Sequence, residues 1–140
     1  MPIERTLSII KPDITKKNQI GEIINVFEKR GLKIVGMKMI RLTSQLTKEF
    51  YQDHKEKDFF LSMIEFMCGL PVVVICLEGE NAIKLNREIM GATNPLEAKV
   101  GTIRRTYGES IVNANAVHGS DSPEAAKREI NLIFKEEEIF

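Results

Sequence analysis

One histidine, His118, stands in the run Asn115, Ala116, Val117, His118, Gly119, Ser120, Asp121, where two apolar residues give way to glycine and small polar residues. That pattern marks a strand end opening into a loop with the imidazole approachable beside glycine. Ser122 followed by Pro123 then supplies a helix N-cap with proline at the first helical position. An imidazole at such a junction keeps one ring nitrogen unprotonated near neutral pH, so it can serve as a nucleophile or a proton carrier. Elsewhere, Lys11, Arg87, Thr93, Arg104 and Asn115 all fall at strand ends or in a long stretch without periodicity. Scattered cations and small donors of this kind suit a polyphosphate, whose oxygens accept point donors and bidentate arginine contacts. No G-x-x-x-x-G-K-[ST] sequence is present, which excludes a P-loop. A nucleotide would have to be gripped by side chains gathered around His118.

The elements that must gather them can be read from the apolar pattern. Thr6 to Ile10 is a β-favouring run that Pro12 ends, leaving Lys11 at the strand end. Asn18 is placed to cap a helix with Ile20, Ile23, Ile24 and Phe27 on one face, closed by Gly31, and Leu32 to Leu42 reads as the next strand. Two helical patterns follow, one from Thr43 or Ser44 through Leu46, Phe50 and Tyr51, the other through Phe60, Met63, Ile64 and Met67. Phe59 is out of phase with that second stripe, as suits either a stacking platform or packing under a loop. His54 and the charged run Lys55 to Asp58 read as solvated surface. Val72 to Leu77 is continuously apolar, as a central strand covered on both faces would be. Another helix carries Ala82, Leu85 and Ile89 inward and stops at Gly91. Residues 91–114 form a long irregular loop, and the last helix runs from Pro123 to Phe134 before a solvated acidic end at Glu136 to Glu138. This order predicts an α+β fold, the ferredoxin-like βαββαβ antiparallel sheet with helices on one face and an extra C-terminal helix. The 140 residues fit a single domain, 1–140.

Composition narrows the partners. Lys plus Arg and Asp plus Glu are equal at 20 each, so no global field recruits nucleic acid or a membrane surface, and an anion must be held by local cations. The apolar runs are too short for a membrane span and Met1 to Ile10 is too short for a signal peptide, so a cytoplasmic location is expected. Cys68 and Cys76 read as buried free thiols. With His54 and His118 the only histidines and no cysteine cluster, the side chains by themselves predict no metal site.

These residues carry a family resemblance. Asn115 to Asp121 stands as Asn-x-x-His-Gly-Ser-Asp, accompanied in order by Ile9 to Asp13, Phe50 and Tyr51, Phe59 and Phe60, Asn86 and Arg87, Gly91 to Pro95, and Gly101 to Arg104. Over nearly its whole length the chain resembles the nucleoside diphosphate kinases. The resemblance implies Mg²⁺-dependent ping-pong transfer of a γ-phosphate from a nucleoside triphosphate to a nucleoside diphosphate, with His118 as the pros-phosphohistidine nucleophile. It also implies phosphate contacts from Arg87, Thr93 and Arg104, contacts from Lys11 and Asn115 to the sugar hydroxyl and a neighbouring phosphate oxygen, and base stacking on Phe59. Tyr51 is implied beside His118 and Lys11, while Ser120 and Glu129 orient the reacting groups. The implied partners are ATP, GTP, GDP and deoxynucleotides, with Mg²⁺ held mainly by their phosphates, no membrane and no obligatory nucleic acid. A homo-oligomer, either tetramer or hexamer built from a similar dimer, is implied as well.

Helix phase adds an independent argument for Glu129, which at about 100° per residue borders the stripe of Ala125 and Ala126. From there its carboxylate either bends out to solvent or accepts a hydrogen bond from the ring of His118. Three departures from the family pattern, Val100, Arg105 and Thr106, add positive charge and are expected to loosen the long loop. An RNA-binding module of the same fold is the rival reading, opposed by the absence of an RNP-like aromatic pattern and of net basic charge. A catalytically silent relative would be expected to lack His118 or an arginine, and none is lost.

Overall fold

The structure is a computed structural model and describes residues 3–111 and 113–140. Among these described residues there are four strands, β1 (Ile3–Ile10), β2 (Lys33–Ile40), β3 (Val72–Glu80) and β4 (Val117–Gly119). The helices are α1 (Pro12–Thr15), α2 (Ile20–Lys29), α3 (Ser44–Phe50), α4 (Phe60–Gly69), α5 (Ala82–Met90), α6 (Ile103–Tyr107) and α7 (Pro123–Ile133). The sheet order is β2-β3-β1-β4 and every neighbouring pair is antiparallel. Taken as β1-α2-β2-β3-α5-β4, this is the predicted ferredoxin-like βαββαβ arrangement. The hairpin of α3 and α4 is inserted between β2 and β3, and α7 follows β4.

The two crossover helices do lie on one face, as expected, but the other face is covered too. Alternation along β3 divides the core in two: Val73, Ile75 and Leu77 pack with Ile23 and Phe27 of α2 and Ile89 of α5. Val72, Val74 and Cys76 pack instead with Phe50, Met63 and Met67 of the α3–α4 hairpin and with Ile130 and Ile133 of α7. The unbroken apolar run of β3 has this cause, since a strand with water on neither face has no polar positions to alternate. Each fully buried side chain of this size contributes about 1.5–3 kcal/mol.

Several boundaries differ from the sequence reading, each for a local reason. Asn18 does not cap α2; it takes a left-handed conformation (φ 59°) that turns the chain between α1 and α2. The long segment is less irregular than expected, because Thr102 accepts a hydrogen bond from Arg105 N–H and starts the short helix α6. Its loosening by Arg105 is also not observed: the guanidinium donates to the carbonyls of Leu96 (3.3 Å) and Ala98 (3.2 Å), tying the loop to α6. Gly91 (φ 85°) is required where it stands, since a Cβ there would sit 2.7 Å from that of Thr102. The acidic end is only partly solvated, for Glu138 pairs with Lys38 of β2 at 2.9 Å and Phe140 N–H donates to Val35 O. Cys76 is buried, which pushes its thiol up to about 11, whereas Cys68 is half-buried beside the Thr47 hydroxyl. Among the described residues no helix is long and apolar enough to cross a membrane.

Candidate active site

The short strand β4 lays His118 opposite Ile9 of β1, and one residue past the end of β1 stands Lys11. The His118 ring is half-buried. Its Nε2 lies 2.9 Å from Glu129 Oε1, and the Ser120 hydroxyl donates to the same oxygen, also at 2.9 Å. Ser120 is itself anchored by Leu7 N–H, so this three-residue set is pinned to the middle of the sheet. Glu129, 5% exposed, does not bend out to solvent. A carboxylate only accepts hydrogen bonds, so the proton of the imidazole belongs on Nε2 and the lone pair on Nδ1. The rings of Phe50 and Tyr51 meet the imidazole edge-on, with centroids at 4.9 and 5.7 Å. Burial, with Glu129 nearby, keeps the Tyr51 phenol well above its ordinary pKa.

A cleft of about 470 Å³ opens on this histidine, and Lys11, Tyr51, Phe59, Arg87, Thr93, Arg104, Asn115, His118 and Glu129 all line it. Ser120 lies behind the wall. Lys11 Nζ donates to Asn115 Oδ1 at 2.7 Å and to Asn113 O at 3.3 Å. Burial, reinforced by the charge of Arg104, lowers its pKa to about 8. The Arg104 guanidinium, presented by α6, donates to the carbonyls of Asn115 (3.2 Å), Gly91 (3.2 Å) and Val117 (2.9 Å). Burial and Arg87 make its charge costly, yet a guanidinium keeps its proton in proteins. Part of its donor set therefore frames the loop, and part is left for a ligand. Arg87 and Thr93 are exposed on the cleft. Phe59 stands at the N-cap of α4, lines the cleft and also packs against the core under it. A larger groove of about 690 Å³ runs along α7, but it gathers no comparable set of donors.

Sequence reasoning missed three features of the cleft. His54 is not a surface histidine: its ring stands 6.1 Å from that of Phe59 and 6.2 Å from that of Tyr51, and Nδ1 is buried without a partner among the described residues. Burial, then Lys57, depresses its pKa. The signal was its spacing, three residues beyond Tyr51. Arg128, next to Glu129, reaches the carbonyls of Glu49 and Phe50 at the end of α3, where a cation suits the helix dipole. Gly119 serves packing as well as access, for it lines the cleft and a Cβ there would lie 2.6 Å from Asn86 Nδ2 and 2.5 Å from Met90 Sδ.

Known proteins are similar to this chain over its full length. The family model described as nucleoside diphosphate kinase matches residues 4–139. The nucleoside diphosphate kinase of Halorhodospira halophila is 56% identical over 139 residues, covering 99% of this chain and 98% of that protein. That of Coxiella burnetii is 57% identical over 140 residues, with both chains covered in full. Among solved structures, the Aquifex aeolicus nucleoside diphosphate kinase superposes with a TM-score of 0.96 at 46% identity, covering 99% of this chain and 100% of that one. The Halobacterium salinarum enzyme in complex with CDP gives 0.95 at 38% identity, covering 99% and 92%. With the fold, the cleft and sequence identity of this extent in agreement, the chain belongs to the nucleoside diphosphate kinase family.

Proposed function

We propose that His118 is the nucleophile through which this chain performs its family's reaction, the transfer of the γ-phosphate of a nucleoside triphosphate to a nucleoside diphosphate. The observation that carries the assignment is the bond from Nε2 to Glu129, which leaves the Nδ1 lone pair in a cleft lined by Lys11, Arg87 and Arg104. Nδ1 forms a bond to the γ-phosphorus, the bond from that phosphorus to the β-phosphate oxygen breaks, and the electron pair leaves with the nucleoside diphosphate. The ring gains positive charge as this happens, and Glu129, held by Ser120, stabilises it. An incoming diphosphate oxygen then takes the phosphoryl group and restores the free imidazole. One cleft serves donor and acceptor in turn. Lys11, Arg87, Thr93, Arg104 and Asn115 position and neutralise the phosphates, which is most of what phosphoryl transfer requires. Phe59 offers a face to any base, as suits a range that includes ATP, GTP, GDP, deoxynucleotides and a cytidine nucleotide such as the CDP held by the Halobacterium salinarum relative.

Mg²⁺ fits this donor set as a cation carried in on the nucleotide. Among the described residues no group of three or more His, Cys, Asp or Glu side chains is placed to hold a metal, while Asp121 lines the cleft. When bound with the nucleotide, such an ion would neutralise phosphate charge, and Asp121 would be the carboxylate that helps to hold it. Residues 1–140 act as one domain, and assembly into a homo-oligomer is supported by the open edge of β2, where Met37 and Met39 are exposed.

The deciding experiment uses γ-labelled ATP. Acid-labile, base-stable label appears on the wild-type protein and is discharged by GDP. Label that persists in His118→Ala, or that GDP leaves in place, refutes the assignment.

A further inference from the structure

Next to the nucleophile the chain makes a turn that it should avoid. Ala116 has φ 74°, in the left-handed region that residues with a side chain seldom occupy, and Val117 N–H closes the turn onto Asn115 O at 2.9 Å. Such a conformation persists where its surroundings over-determine it. Here both polar backbone groups of Ala116 are held by the connection between β1 and α1. Asp13 Oδ2 accepts Ala116 N–H at 3.0 Å, and Lys11 N–H donates to Ala116 O at 2.9 Å. Asp13 is only 1% exposed, and its second oxygen has no partner among the described residues. A carboxylate is costly to bury, and beyond its own N–H and the charge of Lys11 the group that holds this one is Ala116 N–H.

The turn separates two jobs. On its far side Val117 and His118 enter β4 opposite Ile10 and Ile9, and the imidazole is fixed there by Glu129. On its near side Asn115 is directed at Lys11, 2.7 Å away. We propose that Asp13 is a positioning residue that holds Ala116 in its left-handed turn, and through it sets Asn115 and Lys11 against the nucleotide phosphates. This rests on the function proposed above. It does not set the reactivity of the His118 ring, which the sheet and Glu129 fix without it.

That separation supplies the test, performed on the full chain by single-turnover phosphorylation of His118 with two reagents, ATP and phosphoramidate, a small donor that needs no nucleotide grip. In Asp13→Ala the ATP-driven rate should fall roughly ten- to a hundredfold, the loss expected for a buried hydrogen bond to a charged group. The phosphoramidate-driven rate should stay within about threefold of wild type. Asp13→Asn keeps an acceptor oxygen for Ala116 N–H and should recover most of the ATP-driven rate. Asp13→Ala/Ala116→Gly should recover to within about fivefold of Ala116→Gly, because glycine holds a positive φ without a clamp. The proposal is overturned if Asp13→Ala keeps its ATP-driven rate within twofold, if both reagents slow in parallel, or if the double variant stays as slow as the single one. Should Asp13→Ala fail to fold, recovery of folding and rate in the double variant supports the proposal, and its failure to fold refutes it. Absence of label on the wild type would refute the His118 assignment itself, whatever the Asp13 variants do.

Discussion

Glu129→Ala removes one carboxylate and two hydrogen bonds, and the two have separable consequences. Oε1 takes the bonds from His118 Nε2 and from the Ser120 hydroxyl, each 2.9 Å. In the proposed reaction the imidazole becomes positive as Nδ1 bonds to phosphorus, so the first bond is expected to strengthen toward the transition state and to contribute to rate. A hydrogen bond to a charged group contributes about 1.5–3 kcal/mol, which corresponds to a slowing of roughly ten- to a hundredfold. The second bond contributes to stability, since the buried Ser120 hydroxyl is left without its acceptor at a cost of about 1–3 kcal/mol. Removal of a nearly buried charge offsets part of that cost. Rapid-quench measurement of His118 phosphorylation at saturating labelled ATP should show the slowing, with nucleotide affinity within about twofold of wild type. Glu129→Gln keeps an acceptor oxygen without the charge and should fall between wild type and Glu129→Ala. A rate within twofold of wild type in Glu129→Ala, or a loss confined to affinity, would refute the reasoning.

Two further outcomes follow from the cleft. Phe59→Ala should weaken binding of adenine, guanine and cytosine nucleotides alike, by about 1–3 kcal/mol for a lost stacking face, as titration calorimetry would read; loss for one base alone would mean that Phe59 reads base identity. Lys11 should make affinity and stability respond to alkali in opposite directions. Its folded pKa of about 8 lies below the ordinary 10.5, so nucleotide affinity should fall as pH rises above about 8, while unfolding free energy rises between about 8 and 10.5 as the buried charge is relieved. A dissociation constant that stays flat from pH 7 to 9.5 would remove Lys11 from phosphate recognition.

The parts of this molecule that were legible in advance are those whose causes are local and periodic. The stripe Ile20, Ile23, Ile24, Phe27 faces inward because a helix of that phase has one apolar side, and Ser122 caps α7 because its hydroxyl reaches Ala125 N–H. What stayed hidden depends on long-range packing. The short helix α6 has no apolar period to betray it, and only Thr102 marks its start. His54 looked solvated beside a charged run, and its place in the cleft comes from the way the α3–α4 hairpin folds over β1 and β4. Gly119 was legible as a glycine that leaves the histidine approachable, but its second purpose lies in Asn86 and Met90, distant in sequence. Arg105 was noticed for its charge, whereas its effect comes from two carbonyls that no sequence pattern places near it.

The position of β4 in the chain has a consequence for how the protein is made. Lys11 meets Asn115 across 104 residues and Leu7 meets Ser120 across 113, so the cleft closes only when the last fifth of the chain joins the first strand. Contacts of such separation must meet the entropy of a long loop before they return any stabilisation, which makes this closure a late event in folding. During synthesis, β1 can pair with β3 as soon as β3 emerges, but its edge at Ser8, Ile9 and Ile10 stays unpaired until Val117 to Gly119 follow. A chain cut short before that point lacks the proposed phosphotransfer site and bears an apolar strand edge open to other chains. The appearance of activity during refolding therefore times the docking of this three-residue strand.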